Sequence, residues 1–422
     1  MYKFLLVGLC CFSAQFLFSQ KNIDSIFTEN LRTVQISANG ELPVGVPAFN
    51  LKGGGIMLTF DDMETDFKNF MYTIEQCDRD WKPSKLEKLE YIDGLMEDRI
   101  QKFQNSSATN IPYIHYSLVF PNESMRVTKS GNYILKIYED NNEKTVALTR
   151  RFIVFEQLLA AVPELLTNIN PIKYNTHQEM DITIEAKNFR IQNPINDIRL
   201  LVLQNGRWDL KSSLLSPVYT RGETLVFDYQ DSISFPAGKE WRYVDLRSTR
   251  FRSERVQSLD KGDETWDITL RGDIDRGREP YIFYPDLNGG YFIENRNFGS
   301  ELNALNSDYL DVHFTLGKKD ELEDEDIYLF GAFSDWKIDE RFKMNYSLQQ
   351  RAYEGDLRLK QGFYNYRYVT VIKGGGKTFD EAILEGNWFE TENEYTGLIY
   401  YRPFGARYDR IIGLSKFKSL RR

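Results

Sequence analysis

Cysteine is scarce in this chain. Three occur among 422 residues, and Cys10 and Cys11 fall in an apolar leading stretch. Cys77 is then alone in the remainder, so no internal disulfide can staple the fold. Its thiol reads as a small buried apolar group beside Trp81, with a reactive sulfur as the other option. Histidine is just as rare. His115, His177 and His313 fall in separate stretches, and none has a second histidine at metal-ligand spacing. Positive charge is not in excess: the formal net charge is −9 and the pI about 5.2. That balance excludes a nucleic-acid binder dominated by phosphate contacts. Beyond the leading stretch no run approaches ~20 consecutive apolar residues. The mature chain is expected to be soluble or peripheral to a membrane.

Catalytic patterns are missing too. There is no Gly-x-Ser-x-Gly elbow. Gly374-Gly375-Gly376-Lys377-Thr378 looks like the end of a phosphate loop, but Val371 stands where the first glycine should be. The pattern after it is β and not the helix whose amino end would hold phosphate, so the stretch reads as a hairpin turn. The acidic run Asp320 to Asp326 lacks the spacing and turn glycine of a calcium loop. Pairs such as Asp61-Asp62 and Asp273/Asp275 are common in loops. The expectation is a protein without catalysis, metal or cofactor.

What the chain has in quantity is aromatic side chains. Hydrophobic residues make up 41% and aromatics 14%, with 25 Tyr and 29 Phe, enough for packed cores and better suited to strands than helices. Lys3 followed by the apolar run Phe4 to Phe18 has the form of a secretory signal, with Leu17 and Ser19 at −3 and −1 of a cut after residue 19. A lipidated Cys10 or Cys11 is the rival reading. Against it, Val7-Gly8-Leu9 puts no small residue next to the cysteine, and the apolar run continues.

The stretch Tyr72 to Ser84 is the centre of the first 156 residues. Phe70, Tyr72 and Ile74 alternate with Met71, Thr73 and Glu75 as in a half-buried strand. Cys77, a run of charges, Trp81 and Pro83 then break the pattern, and an irregular excursion runs to about Thr109. Further strands are expected at Thr33–Ile36, at Ile56, Leu58 and Phe60, at His115–Phe120, and in a hairpin of Tyr133–Tyr138 with Ala147–Phe155. About seven short strands with turn signals between them suggest an Ig-like sandwich over residues 20–156. Trp81 is either its buried tryptophan or a partner anchor.

Three of these segments carry a resemblance. Tyr72 to Ser84 is one. Asn105-Ser106-Ser107-Ala108-Thr109 before Tyr113 and His115-Tyr116 is the second. Ser130-Gly131-Asn132-Tyr133 with Arg150-Arg151-Phe152 is the third. Together they resemble the first domain of the type IX secretion system plug protein family, and the likeness continues in order and spacing along the chain. The resemblance implies a monomer in the periplasm, held to the outer membrane through protein contact. Such a body seals the periplasmic opening of the translocon barrel, called SprA or Sov, between transport events.

Residues 157–305 read as a second β-sandwich. Asp181 to Ala186 and Ile198, Leu200 and Val202 alternate, Asn205-Gly206 is a strong hairpin turn, and Tyr281 to Tyr284 and Tyr291 to Glu294 flank Asn288-Gly289-Gly290, a second turn signal. Residues 306–422 read as a third. There Phe330 to Trp336 and Gly362 to Tyr368 resemble early-set Ig-like modules, including glycogen-binding ones. The fold expected is therefore all-β, three Ig-like or early-set sandwiches in series. Two partner surfaces are candidates: Trp81, Lys82 and Lys85 in the excursion, and Arg250 and Arg252 in an arginine-rich loop. The alternative function is carbohydrate binding, with Trp336 and Trp388 as stacking platforms.

Overall fold

Ile56, Leu58 and Phe60 are all buried on one side of the strand Ile56–Asp62, as their alternation requires. They face Tyr72 and Ile74 of the strand Phe70–Cys77 across a shared apolar layer. Residues 24–139, 145–166, 168, 170–297 and 303–419 are described in the computed structural model; the expected signal at 1–19 lies outside them. Among the described residues the chain is all-β, and its α-helices, such as Lys88–Tyr91 and Ala382–Glu385, are four residues long. No helix among the described residues is long and apolar enough to cross a membrane.

Two sheets enclose the first core. One runs in the order Ser25–Ile26, Val146–Phe155, Gly131–Glu139, Phe70–Cys77, Asp98–Arg99, and the other Leu31–Ala38, Ile56–Asp62, Ile114–Phe120, Lys102–Asn105. The excursion after Pro83 is built from short pieces: the helix Lys88–Tyr91 and the strands Ile92–Gly94, Asp98–Arg99 and Lys102–Asn105.

The middle unit is assembled from distant parts of the chain. Ala161–Leu166, His177–Glu185, Thr224–Phe227 and Tyr219–Arg221 form one sheet. The facing sheet joins Ile198–Gln204 to Glu394–Tyr401 and Arg410–Lys418. Ile182, Leu200 and Phe227 thus share a core with Tyr395, Ile399 and Ile412. The boundaries expected at 157–305 and 306–422 do not follow this arrangement. The last strands belong to the middle unit, and residues 241–386 are an insertion into it.

The inserted unit also departs from a two-sheet sandwich. One hydrogen-bonded path of strands runs from Arg242–Asp245 through Gly362–Ile372, Glu325–Phe330, Lys343–Ser347, Ala352–Lys360, Tyr309–Gly317 and Trp266–Leu270 to Val256–Lys261. Val244 from the first strand and Val256 from the last line the same core with Phe314 and Tyr366. The sheet is therefore rolled around its own interior. Tyr281 to Tyr284 is not a strand, and Tyr291–Ile293 pairs with Gly362–Ile372.

The units stack. Leu200 and Val202 face the middle core, while Leu201 and Leu203 face the opposite way. There they meet Ile134 and Ile153 from the outer side of the first unit's sheet, with Leu398, Tyr400 and Ile411 beside them. Four sheets lie one upon another with three apolar layers between them. Each fully buried Leu or Ile of the extra layer contributes roughly 1.5–3 kcal/mol relative to exposure, which ties two units into one body. Gly206 marks how closely they approach. Its φ is 68°, and a Cβ there would collide with the Gly45 backbone.

Candidate functional site

Trp81 lies in the layer between the first and middle units and is 8% exposed. The turn that holds it is built locally. Asp78 Oδ1 accepts from the backbone N–H of Asp80 and of Lys82, both at 2.9 Å, and Trp81 adopts a left-handed φ of 63°. The indole meets Trp208 edge to face at 4.8 Å. The Arg151 guanidinium lies 5.3 Å from the Trp81 ring centroid and 4.7 Å from that of Trp208. Trp81 is thus neither the core tryptophan of its own sandwich nor a free partner anchor: it is a joint between units. Cys77 shares this layer, and burial pushes its thiol well above the ordinary range. Lys82 and Lys85 stand exposed at the edge of the same turn.

The arginine-rich loop separates into inward and outward members. Arg247 pairs with Asp245 and with Glu294, 2.7 Å away. Arg255 pairs with buried Asp273. Arg250 and Arg252 are exposed, Arg252 donating to the Gln257 carbonyl at 2.9 Å. Phe251 between them is 78% exposed.

Below this loop lies a buried polar network. Asp273 accepts from Arg242 at 3.0 Å, from Arg255, and from the hydroxyls of Tyr366 and Tyr368 at 2.7 and 2.9 Å. Glu385 accepts from Arg242 at 2.9 Å and from Arg276 at 2.6 Å. Burial pulls the Glu385 carboxyl upward, but the two arginines outweigh it and hold the group below its usual value. Lys239, also buried, donates to the carbonyls of Arg276 and Glu279 at 2.9 and 2.6 Å. Above the network opens a cleft of ≈ 850 Å³.

Buried and half-buried ion pairs brace each junction of the inserted unit. Lys360 donates to Asp61 at 2.5 Å, and His115 Nδ1 lies 2.7 Å from the other Asp61 oxygen. Tyr309 donates to Asp61 at 2.7 Å. Asp61 and His115 belong to the first unit, Lys360 and Tyr309 to the insertion. Burial alone would raise the Asp61 carboxyl; Lys360 and His115 overcome this and lower it. Arg150 bonds Asp335 at 3.0 Å across the same junction. On the middle unit's side, Glu381 is held by Arg207 at 2.6 Å and Arg367 at 2.8 Å. Burial opposes its ionisation, yet the two arginines take its pKa down to about 2. Sequence reading missed these pairings, because the partners lie far along the chain, and it took Asp61 for a loop residue although it lies on the strand Ile56–Asp62.

Trp336 is wedged, with Trp241 at 5.6 Å and Phe330 at 5.7 Å, and the Arg207 guanidinium 4.9 Å from its ring. It offers no flat face for a sugar. Trp388 stacks on Tyr281 at 6.2 Å, and its Nε1 donates to Glu390 at 3.1 Å. The carbohydrate reading is not favoured. His115, His177 and His313 sit on strands of three different units, bonded to Asp61, Thr176 and Asp356 respectively. Among the described residues no three His, Cys, Asp or Glu side chains are grouped to hold a metal.

Residues 31–156, the first unit, match the family model described as type 9 secretion system plug protein, first domain. A solved structure, described as a hypothetical protein from Parabacteroides merdae, is 31% identical. It aligns over 94% of this chain and 99% of its own, with a TM-score of 0.87. The first unit is thus similar to the first domain of type 9 secretion system plug proteins. No curated protein matches the chain. The likeness to the Parabacteroides protein spans nearly the whole chain, so the insertion and the returning strands fall within it.

Proposed function

We propose that this chain is a periplasmic plug. It binds the periplasmic opening of the type IX translocon barrel, SprA or Sov, and seals it between transport events, by protein contacts alone. The observation that carries the reading is the first-domain match over residues 31–156. The architecture supports it. A plug must hold its shape against a wide aqueous opening, and here the joints are filled by Trp81, Asp61–Lys360 and Glu381 rather than left as flexible linkers. A standard-size interface of mixed polarity would seal and still release. Different affinity for the idle and the loaded barrel would drive the exchange.

The exposed residues Lys82, Lys85, Arg250 and Arg252 are the contact candidates. Affinity recovery of the barrel from native membranes tests the plug reading, with envelope permeability measured after deletion of the chain. The barrel should co-purify, and deletion should make the outer membrane leak. Failure to recover the barrel, together with an unchanged permeability, overturns the reading. Recovery unchanged by Arg250→Glu with Arg252→Glu removes that pair from the interface.

A further inference from the structure

A different cleft, of ≈ 440 Å³, opens where the strand Leu31–Ala38 of the first unit meets the inserted unit. Arg32, Lys337, Arg341, Arg358 and Lys360 line it, against the carboxylates of Asp335, Asp339 and Asp356. All three carboxylates already have partners. Asp335 holds Arg150 at 3.0 Å, Asp339 holds Arg341 at 2.9 Å, and Asp356 lies 2.6 Å from His313 Nδ1. Lys360 is matched by Asp61, and Arg358 turns to Asp311 at 2.8 Å and Glu264 at 3.3 Å. Behind the wall, Arg151 pairs with Asp24 at 2.8 Å. Arg32 and Lys337 are left over. Arg32 donates to the carbonyls of Glu29 and Leu31, the latter at 3.0 Å. Lys337 donates to the Asp24 carbonyl and to the Ser25 hydroxyl, the latter at 3.3 Å. Neither forms an ion pair among the described residues. The Glu29 carboxylate acts on Arg32 and Arg341 from an exposed position outside the lining.

Two half-buried cations without a counter-ion are costly to keep charged. Burial first, and then the like charge of Arg341, holds Arg32 below its ordinary range; burial holds Lys337 below its own. The backbone is strained at the same wall. The strand bulges between Arg32 and Gln35, and β-branched Thr33 takes a left-handed φ of 49°. Val34, Phe333 and Phe342 add apolar surface beside the cations. We infer that this cleft binds a small organic carboxylate, its oxygens on Arg32 and Lys337 and its compact apolar body against Val34, Phe333 and Phe342. The guanidinium fork takes both oxygens of a carboxylate at once. The volume admits roughly a dozen non-hydrogen atoms at about 30 Å³ each, the share of a water in the liquid. The ligand supplies the negative charge that the two cations lack. Nothing in this inference rests on the plug reading.

The probe is 3-phenylpropionate, followed by saturation-transfer NMR with the full chain at about pH 7. The controls carry the same body with no charge, as the alcohol, or with the opposite charge, as the amine. The carboxylate is expected to bind with a Kd of about 1 mM or tighter and to weaken several-fold at high salt. Arg32→Gln with Lys337→Met should weaken it about tenfold or more, while Lys337→Arg keeps the charge and should retain binding. Arg250→Glu with Arg252→Glu, far along the chain from the cleft, should leave it unchanged. Equal binding of the alcohol or the amine overturns the inference. So does undiminished binding by the Arg32/Lys337 variant with an unaltered unfolding midpoint. Should that variant not fold, Arg341→Gln, on a side chain 63% exposed, takes its place: a several-fold loss supports the site and undiminished binding overturns it. The assay contains no translocon, so its failure leaves the plug reading standing, and failed recovery of the barrel leaves the cleft standing.

Discussion

The Lys360 ammonium lies 2.5 Å from Oδ2 of Asp61, and both side chains are 1% exposed. They come from different units, 299 positions apart along the chain. Removing one partner leaves the other charged and dry. Lys360→Met should destabilise the fold by about 3–5 kcal/mol. The double variant Asp61→Asn with Lys360→Met should recover a large part of that loss. Urea unfolding of the two singles and the double checks it; additive losses would show that the pair is not coupled.

Glu240 sets a second expectation, of opposite sign to most buried carboxylates here. Its side chain takes the Tyr281 hydroxyl at 2.6 Å, while Oε2 has no hydrogen-bond partner among the described residues. Burial foremost, with nearby Asp286 adding to it, pushes the carboxyl up to about 7. The folded state therefore holds a proton that the unfolded chain releases near pH 4.5. Its contribution is present below that point and is lost as pH rises to about 7. Glu240→Gln should raise stability at pH 8 by on the order of 1 kcal/mol and flatten the slope between about pH 5 and 7. Unfolding midpoints across that range measure both. Asp61, Glu385 and Glu381 run the other way. Their folded values are depressed, so their contribution is present at neutral pH and lost on acidification towards about pH 2, the value Glu381 reaches.

Trp81 and its lysine neighbours should part company. Trp81→Ala removes the contact with Trp208 and Arg151 and should cost about 3–5 kcal/mol. Lys82→Glu with Lys85→Glu should leave the unfolding midpoint within about 0.5 kcal/mol. Any loss of partner recovery in the lysine variant then reports binding and not folding. Thermal melts alongside the recovery assay separate the two.

Gly206→Ala tests the closeness of the first and middle units. The left-handed φ disfavours any side chain, and the added methyl meets the Gly45 backbone. A loss of about 2 kcal/mol or more is expected. Gly222 has a similar φ of 61° but open space around it. Gly222→Ala should cost only about 1 kcal/mol, and comparing the two by urea titration isolates the clash.

The strands were legible in the sequence where one face is wet. Ile56, Leu58 and Phe60 announce themselves by alternation, as do Leu310, Val312 and Phe314. The pairing of Ile198–Gln204 with Glu394–Tyr401 was not legible, because local periodicity carries no information about a partner so distant. One signal was available. Leu200-Leu201-Val202-Leu203 is an unbroken apolar run, which in a strand means that both faces are covered. Read as alternation at Ile198, Leu200 and Val202 alone, it conceals the second covered face. The exposed members of the candidate surface, Lys82, Lys85, Arg250 and Arg252, could be picked out as loop charges. Asp61, Lys360, Glu381 and Glu385 could not, since a carboxylate in a strand looks solvated until its counter-ion arrives from elsewhere.

Because the strands Glu394–Tyr401 and Arg410–Lys418 complete the middle unit, the order in which the chain becomes available matters. A polypeptide emerging amino end first can close its first sandwich early. The second must wait, half-built, until almost the last residue has arrived. A product ending anywhere before residue 394 would present the apolar side of Ile198–Gln204 to water, a ready target for proteases and chaperones. The final strands thus act as a completeness check on the whole molecule.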